Sequence, residues 1–359
     1  MKLTRRDFIK NTLIWGGSLV FSPYPVYASG QTKQQGYPGY ARLENEGKLA
    51  ERVAQAYAFF EECRLCPREC GVNRLEGEKG FCKAPLKVMV YAAQPHFGEE
   101  LSLVGRQGSG TIFFSNCNLR CVFCQNWPIS IRGEGRAIED EGLAQLMMFL
   151  QEIGCHNINL VTPTHVMPNI LKATQLAFKK GLRIPLVYNT GGYERVEIIK
   201  LLDGIVDIFL PDIKYMDADM AAKYSSGARN YPEMAKAAVL EMNRQVGVHR
   251  VDKDGIAQSG LMIRHLVMPN RVVGTQKFVA WVAENLPRHT YVNIMSQYHV
   301  DYKAYEYPDI ARGISMQEFL EAMDWAEEYG LTGLDPRSVR MRDLYKKSGT
   351  HHKNASNAQ

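Results

Sequence analysis

Between residues 111 and 333, short runs of β-branched and aromatic residues alternate with stretches whose apolar positions recur every three to four residues. The runs predict strands over 111–115, 158–162, 185–189, 205–210, 261–267 and 291–295. The periodic stretches predict helices over 141–153, 169–180, 194–202, 231–245, 276–285 and 315–329. Gly154, Gly181 and Gly330 stand where helix C-termini call for a left-handed residue. Six strand–helix units predict a parallel sheet with helices outside it. Residues 248–260 interrupt the rhythm, and Asp252-Lys253-Asp254-Gly255 within them reads as a hairpin turn.

The bulk numbers narrow this picture little. The chain has 359 residues, 45% hydrophobic and 23% charged, enough for a large core. The formal net charge is +5, but residues 1–28 hold Lys2, Arg5, Arg6 and Lys10 against Asp7, so the remainder is close to neutral. No basic stripe supports a nucleic-acid partner. No apolar run is long enough to span a bilayer, so an integral membrane protein is not expected.

The cysteines change the picture. There are eight, and all but Cys155 lie between Cys63 and Cys124. Such clustering points to metal sites, and Cys155 reads as a core thiol. Cys117, Cys121 and Cys124 are spaced C-x3-C-x2-C directly after the first predicted strand. Three thiolates in one tight loop can each take one iron of a cubane, and the lack of a nearby fourth leaves one iron open. Zinc prefers four ligands in structural sites. Cysteines just past a strand sit at the C-terminal mouth of a barrel, where such folds do chemistry. The expected fold is therefore α/β, a partial TIM-like (β/α)6 barrel with an N-terminal Cys-rich segment, in preference to an open doubly wound sheet.

With Phe123 before the last cysteine, this string resembles the signature of the radical S-adenosylmethionine (SAM) superfamily. The longer string through Gln125-Asn126-Trp127 resembles a branch related to pyruvate formate-lyase activating enzyme. The resemblance spans roughly residues 63–335. It implies that Cys117, Cys121 and Cys124 hold a 4Fe–4S cluster, that SAM chelates the open iron, and that a low-potential electron donor drives cleavage to a 5′-deoxyadenosyl radical. That radical would abstract hydrogen from a substrate the sequence leaves unspecified, a glycine of a partner protein being one choice.

Several loops past the strands are candidates for holding SAM. Where the superfamily often carries a Gly-Gly-Glu-like segment, this chain has Thr162-Pro163-Thr164-His165, and Thr162 or Thr164 is the substitute; an ordinary turn with a surface histidine is the rival. Asn189 and Thr190 would face the mouth, with Gly191 and Gly192 letting backbone approach a ligand. Asp212 and Lys214 resemble the Asp-x-Lys segment of activating enzymes, with a surface ion pair as the rival. His299 resembles a sixth-strand histidine near SAM, and Arg264 reads as either a site residue or a barrel-interior ion-pair partner. His96, Glu99 and Glu100 read as a solvated connecting loop, with a metal or SAM-side role as the alternative.

Cys63, Cys66, Cys70 and Cys82 form C-x2-C-x3-C-x11-C. Four thiolates suit an auxiliary 4Fe–4S cluster or a tetrahedral zinc as a second metal centre. In an exported chain, two disulfides are the alternative. Export is raised by Thr4-Arg5-Arg6-Asp7-Phe8-Ile9-Lys10, which resembles a twin-arginine signal, followed by an apolar stretch and a cleavage site at Val26-Tyr27-Ala28; a cytoplasmic chain with a basic N-terminus is the alternative. The organisation expected is a signal over 1–28, a linker over 29–41, an N-terminal helix and Cys-rich segment over 42–104, the core over 105–335 and a loose polar tail over 336–359. Two functions compete: a radical SAM enzyme, and an exported, non-catalytic iron–sulfur electron carrier.

Overall fold

The computed structural model describes residues 38–356, with side chains through Lys347. The signal read over 1–28 and most of the 29–41 linker lie outside the described residues.

Nine strands make one sheet: β1 (Val88–His96), β2 (Ser109–Phe114), β3 (Arg136–Ile138), β4 (Ile158–Val161), β5 (Leu186–Thr190), β6 (Ile208–Pro211), β7 (Arg250–Val251), β8 (Ala257–Leu266) and β9 (Tyr291–Met295). The order is β3-β1-β2-β4-β5-β6-β8-β7, with β9 also paired to β8. The six strands expected from sequence are β2, β4, β5, β6, β8 and β9, and they run parallel in that order. The fold is thus a partial (β/α)6 barrel, and its sheet stays open. Strand β1 pairs antiparallel on the edge of β2 that a closed barrel would give to β9.

The period of two sorts each strand into an outer and an inner face. On β5, Leu186 and Tyr188 pack into the main core under the helices, while Val187 joins Ile208, Leu210 and Met262 inside the barrel. Continuing that alternation brings Asn189, Asp212 and Arg264 inward at the C-terminal ends of their strands. The six expected helices are all present, within a few residues of their expected ends. Gly154, Gly181 and Gly330 take positive φ as expected. Gly255 closes the 252–255 turn at φ +78°, its N–H donating to the carbonyl of Asp252.

Three strands were not expected. Pro95 and a bulge between Val90 and Ala92 blur the alternation of β1, and β3 and β7 are too short to carry a pattern. The end of the chain also differs from the loose tail read there. Residues Pro336–Ser356 are helical. Buried Asp335 accepts the N–H groups of Arg337 (2.7 Å) and Ser338 (3.3 Å), which starts the helix. The Ser338 hydroxyl then donates to the carbonyl of Ile294 (2.8 Å), tying the helix to β9. Polar composition hid this element, whose hold comes from the cap and from Val339, Met341 and Tyr345 packed against the core.

This attachment predicts unequal truncations. A chain ending after Lys347 should unfold as the full chain does. A chain ending after Asp335 should lose about 2 kcal/mol or more, a fall of roughly 5 °C or more in thermal midpoint by circular dichroism.

Candidate metal centre and its cavity

Strand β2 delivers the chain to the mouth, and the loop after it turns sharply. Asn116 (φ +73°) and Arg120 (φ +52°) take the left-handed conformation that non-glycine residues seldom adopt. The turns are held by Asn116 N–H on the carbonyl of Ile129 (3.0 Å) and Val122 N–H on that of Tyr224 (2.9 Å). Each sulfur then meets a hydrogen-bonding partner. Leu119 N–H donates to Cys117 Sγ (3.4 Å). Cys121 Sγ shares a hydrogen bond with Ser225 Oγ (2.9 Å), and Cys124 Sγ with Ser130 Oγ (3.0 Å). The Asn126 N–H also reaches Cys124. Phe123 packs edge-on against Tyr215 and Tyr298, which fixes the loop against the wall of the mouth.

Burial pushes the Cys121 thiol up to about 12, against the pull of the Lys214 ammonium, and raises Cys124 as well. Without a metal these groups are neutral thiols; metal ligation supplies the ionisation. Among the described residues, no three Cys, His, Asp or Glu side chains converge on a single metal ion. That suits ligands that each take a different iron.

The three cysteines open on a cavity of about 290 Å³, at the lower end of the ~300–1,000 Å³ typical of small-molecule sites. Thr162, Asn189, Gly191, Asp212 and Lys214 line it, as do Arg264, Asn118, Gln297 and Tyr298. No fourth cysteine does. The polar set forms a chain of contacts. Lys214 Nζ lies 2.6 Å from Asp212, and Arg264 Nε 2.7 Å from the other Asp212 oxygen. Arg264 also donates to Asn189 Oδ1 (2.6 Å) and to Glu99 (3.2 Å). Burial would raise Asp212, but Arg264 and Lys214 together hold it below the usual carboxylate range. Burial pushes Glu99 up to about 7 against the attraction of Arg264. Two cations thus face the ionised Asp212, with Glu100 and Glu99 on the far side of Arg264. Lys214 brings positive charge to the thiols, which suits an anionic cluster and a ligand carboxylate. Donor set, charge and cavity therefore fit a 4Fe–4S cluster with SAM.

Other expected residues fall elsewhere. Gly192 lies behind the cavity at φ +80°, where a Cβ would sit 2.2 Å from the carbonyl oxygen of Asp212; its task is close packing of two loops. Thr164 donates to buried Glu194 (2.6 Å), as does Thr190. His165 is buried, not superficial, and bonded through Nε2 to the carbonyl of Ser115 (2.7 Å). His299 is exposed and outside the lining. Glu99 and Glu100 correct the reading of a solvated loop: both are buried inside the barrel. Cys155 is a core thiol. Sequence reasoning missed Ser130, Ser225, Asn118 and Tyr298. Asn118 could have been found by its place inside the triad, whereas Ser225 comes from over a hundred residues away.

A C-x3-C-x2-C loop at the mouth of a parallel α/β barrel, set beside a buried cationic network, defines a cluster-binding enzyme fold. The radical SAM superfamily profile matches residues 111–256. The chain is 36% identical over 290 residues to the uncharacterized protein MJ0674 of Methanocaldococcus jannaschii, covering 78% of each. It is 24% identical over 300 residues to the uncharacterized protein MJ0808 of the same organism, covering 72% of this chain and 79% of that one. A solved structure of TYW1 with a lysine-pyruvate adduct bound aligns at TM-score 0.38 and 12% identity, covering 61% of this chain and 73% of that one. The chain belongs to the radical SAM superfamily.

Glu194 gives a test of the local geometry. Burial raises its carboxyl to about 7. A raised folded-state value favours the neutral form, so its stabilisation is complete below the unfolded value near 4.5 and is lost as pH rises through about 7. Asp207 and Glu99 are raised alike, while buried His165 and His265 are lowered to about 4 and act in the opposite sense, so the test is a difference. Between pH 5 and 8, urea unfolding should show wild-type stability falling by roughly 2 kcal/mol relative to Glu194→Gln, which keeps an acceptor for both threonines.

Proposed function

We propose that Cys117, Cys121 and Cys124 hold the 4Fe–4S cluster and that the cavity over them binds SAM and the reacting part of the substrate. Superfamily membership carries SAM-cleaving radical chemistry, which needs a reductant. The bound cluster and SAM supply a 5′-deoxyadenosyl radical that takes a hydrogen atom from substrate. The observation that carries the assignment is the meeting, in one cavity, of three thiols with the Lys214–Asp212–Arg264 network. Lys214 and Arg264 offer positive charge to a carboxylate, and Asp212 and Asn189 offer oxygen acceptors to an ammonium group. A methionine head has both. Thr162, held at φ +61°, presents its side of the mouth to the same cavity. Phe123, Tyr298, Leu119 and Leu266 give the mouth an apolar wall, of the kind that protects a radical from side reactions.

For the substrate we infer a glycyl-radical partner protein, on the Asp212-x-Lys214 segment at the position where activating enzymes carry theirs.

Anaerobically reconstituted protein, reduced with dithionite in the presence of SAM, should release 5′-deoxyadenosine, read by liquid chromatography. Cys124→Ala should abolish release. Asp212→Asn and Lys214→Met should each lower kcat/KM for SAM by roughly 10–100-fold, while His299→Ala changes it little. No release from cluster-loaded protein with several reductants would leave the electron-carrier reading standing and remove this one.

A further inference from the structure

Outside the cavity, the most unusual charge in the molecule is Arg74. Its side chain is 1% exposed. Its terminal nitrogens donate to the carbonyls of His165 (2.6 Å) and Pro85, and its guanidinium lies 4.3 Å over the Phe60 ring. Among the described residues, its Nε has no hydrogen-bond partner and no carboxylate lies within ion-pair distance of it. The groups that act on it electrostatically are Cys82, Cys63 and Cys70, and its side chain is within hydrogen-bonding reach of Cys63. An arginine stays charged in proteins, and a buried charge without a counter-charge is strongly disfavoured. Neutral thiols or disulfides would leave Arg74 in that state. Thiolates would not.

Burial raises the Cys63, Cys66 and Cys82 thiols, Cys66 to about 12, so a bound metal would have to supply their ionisation. Against burial, the N–H two residues on favours the thiolate at Cys63 (from Leu65), Cys66 (from Arg68) and Cys82 (from Ala84). The triad uses the same device, from Leu119 to Cys117 and from Asn126 to Cys124. A thiolate accepts such bonds far better than a thiol. All four cysteines are free, and three are buried. Gly80 leaves room for the fourth: a Cβ there would lie 2.2 Å from Cys70 Sγ.

We propose that Cys63, Cys66, Cys70 and Cys82 hold a second, wholly thiolate-ligated metal centre of net negative charge, with Arg74 as its buried counter-ion. Among the described residues no three thiols converge on one metal ion, which favours a 4Fe–4S cube, each iron taking one thiolate, over a single zinc; both are anionic with four thiolates, so the charge argument covers either. The centre stands against the triad loop. Arg68 donates to the carbonyls of Asn118 (2.9 Å), Ser226 (2.8 Å) and Ser225 (2.9 Å), and the Asn118 side chain reaches Cys66. One residue, Asn118, therefore separates Cys66 from Cys117. The proposal does not depend on the reaction assigned above.

The test is metal content in the full chain with Cys117, Cys121 and Cys124 all changed to Ala, purified anaerobically and checked for folding by circular dichroism. It should retain about four irons with sulfide, or about one zinc, per chain; iron with sulfide identifies a cluster, zinc alone a structural site. Adding Cys82→Ser or Gly80→Ala should lower retention at least about tenfold. Should the triple variant not fold, the same single changes in the wild-type background should remove that metal while leaving the triad's. Arg74→Met should speed metal loss to a chelator by roughly tenfold, and Arg74→Lys should restore most of it. Equal losses in the two would overturn the counter-ion role. A folded chain that holds neither metal at the quartet would overturn the site.

Discussion

A sulfur that carries negative charge inside a protein needs hydrogen-bond donors and cations within reach, because burial alone favours the neutral thiol. That requirement shapes both cysteine groups of this chain. In the triad, Ser225, Ser130 and the N–H groups of Leu119 and Asn126 point at sulfur, while Lys214 faces Cys121 across the mouth. In the quartet, burial raises the thiols, and three backbone N–H groups and one buried guanidinium stand ready to offset it in the centre proposed there. The two sites differ in what else surrounds them. The triad opens on a cavity with polar walls; the quartet is packed against Phe60, Arg74 and the loop of the triad itself. The first can admit a small molecule beside its thiols. The second has three of its four thiols buried.

The barrel geometry explains why the cations arrive where they do. Strand alternation sends Asn189 and Arg264 inward from β5 and β8, and Asp212 follows β6 into the same layer. Arg264 reaches three acceptors from there, so a single guanidinium ties three strands and Glu99 into one rigid set. Glu99 arrives from the connection after β1, the strand that occupies the edge where a closed barrel would place β9. Opening the barrel on that side does two things at once. It lets a carboxylate in under the cavity, and it brings the quartet segment, which precedes β1, into contact with the triad loop.

Much of this was legible in the sequence, and what was not has physical reasons. The six parallel strands and their helices carry strong periodicity because each buries one face. The triad announces itself by its C-x3-C-x2-C spacing directly after a strand, which is the spacing that would let one loop reach three irons of a cube. Asp212 and Lys214 follow a strand end directly, and Thr162, Asn189 and Gly191 do the same. Glu99 and Glu100 misled because acidic residues in a short connection are usually solvated; their burial depends on Arg264, Asn293 and Arg337, far along the chain. Arg74 gave no local signal for the same reason: its neighbours are cysteines on either side of it and a carbonyl from residue 165. His299 shows the opposite failure, in which a position past the right strand carries the side chain into solvent.

Thr162 shows how firmly the mouth is held. A β-branched residue at φ +61° is a genuine outlier, disfavoured by roughly 1–2 kcal/mol relative to glycine, which adopts that conformation freely. The surrounding structure imposes it. The Thr162 N–H bonds to the carbonyl of Asn189 (2.9 Å), extending the β4–β5 ladder by one step while the chain turns into the Pro163 corner. Glycine would relieve the strain and would also leave the cavity without a side chain at this point. Strain that survives in a wall already stiffened by Arg264 and Asn189 holds one hydroxyl-bearing residue in the lining of the cavity. A site that must aim a short-lived radical at one hydrogen atom depends on such fixed positions more than on the number of contacts it makes.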